Sequence, residues 1–292
     1  MSHLGYNLRA WDKKSLSGAF TLVELLVVIS IISLLMSIML PSLNKAREQA
    51  NRMDCMSNMR QLTLSWMMYA HDNDGELCSP DTGWIDYDYG LPCPYRYGRP
   101  HWVLGGPSAT PLYYFNHIGD SEIAIKEGVL WPYVQNIDIY HCKMHSDEFL
   151  RSYSMSNTMG GQPLMADLYR KWQFNDIDNI SRPSEKLVFI DAKTGKRWLA
   201  WSFFPIQYSV AETLRWGSRK GIRKRCWREY QLVTQRHCGG CNISFADGHC
   251  KYWKYEDRRT VKLAEEELWP NNPVHEDNAD LEYLAKLLKG CD

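Results

Sequence analysis

Residues 25–40 carry no charged side chain. With residues 20–24 just before them, they reach the roughly 20 residues that a helix needs to cross a hydrocarbon core. This stretch restricts the fold more than any other, because its apolar surface has to meet lipid or other apolar surface rather than water. Arg9, Lys13 and Lys14 precede it against only Asp12, a bias that keeps the start of the chain cytoplasmic and exports the part beyond the span. A secretory signal has an apolar core of about 7–15 residues and then a small-x-small cleavage site, whereas this run is longer and ends in Met39-Leu40-Pro41. Lipoprotein signals need a cysteine directly after the apolar run, and the first one here is Cys55. A plain anchor remains, but it gives no reason for Glu24. An acid at the centre of a membrane helix costs about 2.5–3.5 kcal/mol on insertion scales, and less nearer the interface.

Gly18-Ala19-Phe20-Thr21-Leu22-Val23-Glu24 resembles the signal of type IV prepilins and of the pseudopilins of type II secretion systems, where a small residue precedes Phe-Thr-Leu-(Ile/Val)-Glu. The resemblance implies that a prepilin peptidase cuts between Ala19 and Phe20, methylates the new amino terminus and leaves the apolar run in place as an assembly helix. The family more often has Gly at the last leader position; here Ala19 stands there, with Gly18 one residue earlier. Glu24 becomes the fifth mature residue, where the family places its acid. In physical terms, Glu24 meets the cationic amino terminus of a neighbouring subunit in apolar surroundings, so each buried charge is satisfied only by polymerising. Pro41 stands at the distance from the mature start where the resembling pilins have a proline. Inside a helix it removes one hydrogen bond and crowds the preceding turn, so a bend or local opening is expected there.

Beyond it, Leu43, Ala46, Ala50, Met53, Met59, Leu62, Trp66 and Tyr69 recur mostly at spacings of three and four, one face of an amphipathic helix. The spacing predicts a helix over 20–70, about 75 Å long at 1.5 Å per residue. It should end at His71-Asp72-Asn73-Asp74-Gly75, where Gly75 can take a positive φ. No period holds over 76–119, which is rich in Gly, Pro, Tyr and Trp; this predicts a long loop layer laid over the helix, with aromatics supplying the packing. A short helix within 121–133 and a turn at Trp131-Pro132 come next. Residues 187–190, apolar, β-prone and bounded by turn formers, read as a buried strand. The basic residues Arg215, Arg219, Lys220, Arg223, Lys224, Arg225 and Arg228 alternate with Trp216 and Trp227, a mixture that polyanion grooves use. With 34 basic and 34 acidic residues in balance, the favoured reading is a solvated loop between strands. Leu281, Tyr283, Leu284, Leu287 and Leu288 mark an amphipathic tail helix that packs on the domain edge or contacts a neighbour.

Near the end, His237 is followed by nine residues and then Asp247-Gly248. Residues 242–246 and 249–253 are two short β-type runs, and Asp-Gly between them predicts a hairpin with a type I′ turn, positive in φ at both turn residues. His237 is expected to fix the chain entering the hairpin through hydrogen bonds, and Gly239-Gly240 to allow a close backbone approach. This segment resembles the His-x9-Asp-Gly signature of a subgroup of pilin-like proteins, which residues 55–62, 69–75 and 181–191 also resemble. Cys238-x2-Cys241, with Cys142-x2-His145 elsewhere, has zinc-ligand spacing, and Asp247 with His237 could hold calcium, as some major pseudopilins do. Nine cysteines suit disulfides in an oxidising compartment, which weighs against zinc thiolates. The number is odd, so at least one thiol is free or pairs between chains. No cofactor is assigned; calcium at Asp247 and His237 is the alternative, and zinc at Cys238 and Cys241 the lesser one. No Ser, His and Asp set and no paired carboxylates assemble at defensible spacing, so no enzymatic activity is assigned.

The expected architecture is α+β: one long N-terminal helix, transmembrane in its first half and amphipathic in its second, packed on a small antiparallel sheet with long loops, as in pilins. Its parts are a leader over 1–19, the assembly helix over 20–41, its amphipathic continuation over 42–70, a globular domain over 71–259 and a tail helix over 260–292. The resemblance implies a single-pass subunit of the inner membrane with its C-terminal domain periplasmic or in a filament. Its partners would be copies of itself, other pilin-like subunits, prepilin peptidase and the pilus or secretion assembly machinery, with no small-molecule substrate and no nucleic acid. Two competitors stand beside this reading: a membrane-tethered periplasmic binding protein for a polyanion or carbohydrate that never polymerises, and a zinc-dependent exported enzyme.

Overall fold

The computed structural model of the chain describes residues 21–82, 85–86, 91–92, 95–96, 99–103, 122–145, 150–160, 173–192, 206–210, 223–227, 234, 236–265 and 278–288. Gly18, Ala19 and Phe20 lie outside these residues, as do Arg215, Arg219, Lys220 and Arg228. The chain divides into two compact units, Met1–Arg47 and Glu48–Asp292.

Helix α1 (Leu22–Asp72) is 51 residues long and continues through Pro41, so the proline gives up its own hydrogen bond without ending the helix. Its expected apolar stripe becomes core only in part. Cys55, Met59, Leu62, Trp66, Tyr69 and Ala70 are buried, whereas Leu43 and Met53 are exposed. Periodicity tells which face a partner would cover, and the cover begins at Cys55. The helix ends two residues later than expected, with Asp74 and Gly75 both at positive φ and the Gly75 N–H donating to the Ala70 carbonyl at 2.8 Å, a left-handed C-terminal closure.

Five short strands come after it: β1 (Ser79–Thr82), β2 (Ile85–Asp86), β3 (Leu91–Pro92), β4 (Tyr95–Arg96) and β5 (Arg99–Val103). β1 pairs with β5 in parallel, while β4 pairs with β5 and β2 with β3 in antiparallel. The expected loop layer is thus partly laddered; strands of two to five residues are too short to show an alternation in sequence. Trp102 of β5 is fully buried, its indole N–H donating to the Pro80 carbonyl at 2.8 Å and its ring 5.3 Å from that of Phe189. Helices α2 (Glu122–Lys126) and α3 (Trp131–Val134) come next. Trp131-Pro132, expected as a turn, opens α3 instead, since proline in a first turn removes no helical hydrogen bond. A 3₁₀ turn at Ile137–Tyr140 then leads to Cys142.

The main sheet contains β6 (Tyr153–Met155) and β7 (Leu187–Asp191). After the separate antiparallel ladder of β8 (Ile206–Val210) and β9 (Arg223–Trp227), it is completed by β10 (Gly240–Phe245) and β11 (Cys250–Lys254) in the order β11-β10-β7-β6. Part of the basic block is therefore strand rather than loop. Helices α4 (Arg258–Glu265) and α5 (Ala279–Leu288) close the described chain, so the described part of the tail holds two helices and the first begins slightly before residue 260.

Every residue of β7 is buried, because the sheet is covered on both faces. Val188 and Phe189 join the cluster that includes Met59, Leu62 and Trp66 of α1. Leu187 and Ile190 join a second cluster with Ile243, Phe245, Leu281, Leu284 and Leu288. Two neighbouring residues can share a face because the β7–β10 register shifts between Ile243 and Phe245, as a β-bulge allows. Polar contacts also dock α1: the Thr63 hydroxyl donates to Ser244 Oγ at 2.7 Å, and Ser244 Oγ accepts the Phe189 N–H at 3.1 Å. The tail helix α5 thus packs on a sheet face rather than at a domain edge.

Candidate functional site

At the start of α1, Glu24 Oε2 accepts from the Thr21 N–H at 2.9 Å and from the Thr21 hydroxyl at 2.8 Å, while Thr21 Oγ1 accepts from the Glu24 N–H at 3.2 Å. This reciprocal arrangement is a capping box, which satisfies helix N–H groups that have no partner inside the helix. Beyond it the helix is long and apolar enough to cross a membrane, and none of its apolar window is buried within the chain. Ser30 and Ser37 interrupt the run, but their hydroxyls donate back to the Leu26 and Leu34 carbonyls, each at 2.7 Å, which hides them from an apolar medium.

His237 sits in the turn that leads into β10. Cys238 and Gly239 take positive φ, and the Tyr252 hydroxyl lies 2.7 Å from the His237 carbonyl and 2.9 Å from that of Cys238. A Cβ on Gly240 would stand 2.3 Å from the Trp253 carbonyl oxygen, so the close approach expected of the glycine pair occurs here. At the other end, the hairpin does not use a type I′ turn. Among these residues only Gly248 has positive φ, at 88°, the Gly248 N–H donates to the Phe245 carbonyl at 2.9 Å and the Phe245 N–H to the His249 carbonyl at 3.0 Å. This is a three-residue loop with one left-handed position, and Gly fills it. Asp247 keeps an ordinary backbone and turns its carboxylate onto the His249 N–H at 3.2 Å and His249 Nδ1 at 2.6 Å. Those contacts, set against some burial, hold its carboxyl below the usual range.

The signature residues therefore do not converge. His237 and Asp247 flank the six-residue β10, roughly 20 Å of extended chain at about 3.3 Å per residue, so one calcium ion shared by the two is not what this geometry offers. Cys238 is exposed and Cys241 is buried in the second cluster. His145, part of the other zinc-like spacing, places Nδ1 3.0 Å from Ser152 Oγ.

What the fold does gather around His237 is a buried group from three distant parts of the chain. Cys55 comes from α1, Cys142 from the segment before β6, and Asp191 from the end of β7. The Cys55 and Cys142 sulfurs are 2.9 Å apart, Cys142 Sγ is 3.5 Å from His237 Nε2, and His237 Nε2 is 3.6 Å from Asp191 Oδ2. All four residues are fully buried. Asp191 Oδ2 also accepts the Asn242 N–H at 2.7 Å. Burial pushes the Asp191 carboxyl up to about 6 against the opposing pull of His237, Arg236 and the Asn242 N–H. The Cys142 contact and His237 draw the Cys55 thiol down, and the Cys55 contact together with burial pushes Cys142 up. Beside them, Arg236 donates to the Ser152 and Ala192 carbonyls at 3.0 and 2.7 Å. Among the described residues, Cys55, Cys142 and His237 are the group whose ligand atoms lie close enough together, within 4.8 Å, to hold a metal ion.

Sequence reasoning singled out His237 and missed Cys55 and Asp191 as its companions. Cys55 sat in view: it precedes Met59 by one helical step and continues the stripe through Leu62, Trp66 and Tyr69. Its partner lies 87 residues away, a separation that no local spacing reports.

Comparison with known families gives one match. The family model for the prokaryotic N-terminal methylation motif matches residues 14–40. No curated protein and no solved structure matches the chain. The motif and the unburied apolar helix together fit a single-pass, membrane-anchored pilin-like or pseudopilin protein.

Proposed function

We propose that the chain is a pilin-like structural subunit, cut between Ala19 and Phe20 by prepilin peptidase, methylated at Phe20 and assembled into a type IV pilus or a type II secretion pseudopilus. The observation that carries the reading is the methylation motif over 14–40, opening a helix whose apolar window has no cover within its own chain. Lipid covers that surface before assembly and the helices of other subunits cover it afterwards. In the lone chain Glu24 rests in its capping box with Thr21. The amino terminus that cleavage leaves on a neighbour offers a full positive charge in place of neutral donors, and in apolar surroundings that difference favours the intersubunit pair.

In this reading the leader faces the cytoplasm and the domain from Glu48 onward is exported. The partners are further copies, other pilin-like subunits, prepilin peptidase and the inner-membrane assembly machinery. No cofactor enters the reading. On the same reading the chain joins the His-x9-Asp-Gly subgroup through His237, Asp247 and Gly248, which shape a hairpin rather than a ligand site. N-terminal sequencing of the membrane-extracted protein tests the proposal: the mature chain should begin at Phe20, methylated. A mature chain that begins at Met1 or Ser2 would sink it.

A further inference from the structure

We propose that Cys55 and Cys142 close an intrachain disulfide in the exported protein, a covalent staple between α1 and the segment that leads into β6. The sulfurs stand 2.9 Å apart, inside the about 3.5–4.0 Å at which even the smaller carbon atoms rest against each other. Other contacts hold the two segments in this register without help from the sulfurs. Asn58 Nδ2 donates to the Asp138 and His141 carbonyls, each at 3.2 Å, and Lys143 pairs with Asp54 at 2.8 Å. The Cys142 N–H donates to Ser152 Oγ at 2.9 Å, and the Tyr153 hydroxyl donates to the Cys55 carbonyl at 3.4 Å. The inference rests on the reading of the domain as exported, since disulfides persist in oxidising compartments.

A metal ion fits the same residues less well. Two thiolates on one tetrahedral zinc at about 2.3 Å stand about 3.8 Å apart, so the sulfurs would have to separate. A metal-bound imidazole donates from its other nitrogen to a partner, and His237 Nδ1 is buried with no hydrogen bond.

The chemistry is thiol–disulfide exchange with a disulfide of an exported thiol–disulfide oxidoreductase. Cys55 thiolate attacks one sulfur of the donor disulfide, whose S–S bond breaks and releases one donor thiolate, leaving a mixed disulfide. Cys142 thiolate then attacks Cys55 Sγ; the protein S–S bond forms, the mixed bond breaks and the second donor thiolate leaves. Two protein thiols are oxidised, one donor disulfide is reduced to two thiols, and the two protons pass to the donor. Both sulfurs are fully buried in the folded domain, so exchange takes place before the domain closes over them. Afterwards reductants are shut out as well, and the bond is a permanent staple rather than a switch.

The test labels the full-length protein in membranes with N-ethylmaleimide under denaturing conditions, then reduces it and labels again with iodoacetamide. Cys55 and Cys142 should carry the second label only, and digestion without reduction should yield one linked peptide pair. Cys55→Ser and Cys142→Ser should each lose that pair and lower the thermal midpoint by roughly 10 °C, the double variant no further, while His237→Gln keeps the link. N-ethylmaleimide on both residues in chains that begin at Phe20 overturns the proposal. So does zinc bound one per chain with reduced sulfurs and lost in His237→Gln. A second arm refolds the full-length chain in detergent with oxidised glutathione as the disulfide donor. Failure to close there overturns the disulfide whatever the amino terminus is. Closure there in a chain that still begins at Met1 leaves the disulfide standing and costs the pilin reading.

Discussion

The first half of α1 and its last third are one continuous helix with opposite surroundings. Over residues 22–40 every large apolar side chain is between 46% and 78% exposed, whereas Met59, Leu62 and Trp66 are at 0%. The difference comes from how apolar residues are distributed around the helix. Residues 25–40 are apolar on all sides, so no single face of a domain could cover them and the helix needs lipid or several neighbours. Beyond Pro41 the apolar residues favour one stripe, and from Cys55 onward the folded domain covers that stripe. Glu24 is the exception in the first half: in the lone chain it is held by Thr21, and in the proposed filament it pairs with a neighbour's amino terminus.

The largest effect should come from breaking the exposed half at Glu24. Glu24→Ala lowers the insertion cost and removes the partner of a neighbour's amine, so membrane levels should hold or rise while sheared filament fractions lose the protein. Equal amounts of variant and wild type in those fractions would refute the pairing. The comparison is sharpened next by one truncation in each half. Trp66→Ala should cost about 3–5 kcal/mol in chemical unfolding of the detergent-solubilised chain, and Leu35→Ala no more than about 0.5 kcal/mol, because only the first empties a packed site.

The hairpin gives a smaller contrast between its two turn residues. Gly248→Val forces a β-branched residue to a φ near 88° and should cost about 1–3 kcal/mol. A Cβ there meets only ordinary contacts with Met67 and Leu64, so the cost is conformational rather than steric. Asp247→Asn keeps an acceptor for the His249 N–H and should be nearly neutral. Thermal unfolding with and without a chelator checks this; a wild-type midpoint that chelator lowers, matched by an equal drop in Asp247→Asn without chelator, would make Asp247 a calcium ligand.

The smallest effect is electrostatic. Burial first, and then Arg236 and His141, push His145 from its ordinary 6.5 down to about 3, so the folded domain keeps it neutral. The unfolded chain binds the extra proton between those values. Its stabilising contribution is therefore full above pH 6.5 and lost as pH falls toward 3. His145→Gln should flatten the thermal midpoint across that window by a few degrees, and an unchanged slope would show that other groups dominate.

Much of the fold is legible in local patterns of charge, period and turn residues: the helix, its left-handed end at Gly75, the buried strand over 187–190, the hairpin and the amphipathic tail. The turn type is not, because Asp-Gly satisfies two loop geometries, and the cross-strand pairing, not the dipeptide, selects between them. Trp131-Pro132 misleads for a similar reason, since proline serves a turn and a first helical turn equally well. The candidate cluster is legible only at His237 and, through its zinc-like spacing, at Cys142.

By itself the sequence determined that an uncharged run, with one acid just before it, must leave water and that a striped continuation packs against something. These are properties of residues near one another along the chain, where hydropathy and backbone preference act. Only the tertiary structure decided where the stripe's cover begins and that α5 takes the far face of the sheet. It alone set the bulge that lets Val188 and Phe189 share one side, and it alone brought Cys55, Cys142, Asp191 and His237 within reach of one another. Such choices turn on strand order, register and the meeting of side chains 87 and 95 residues apart, which cooperative packing fixes and no local pattern encodes.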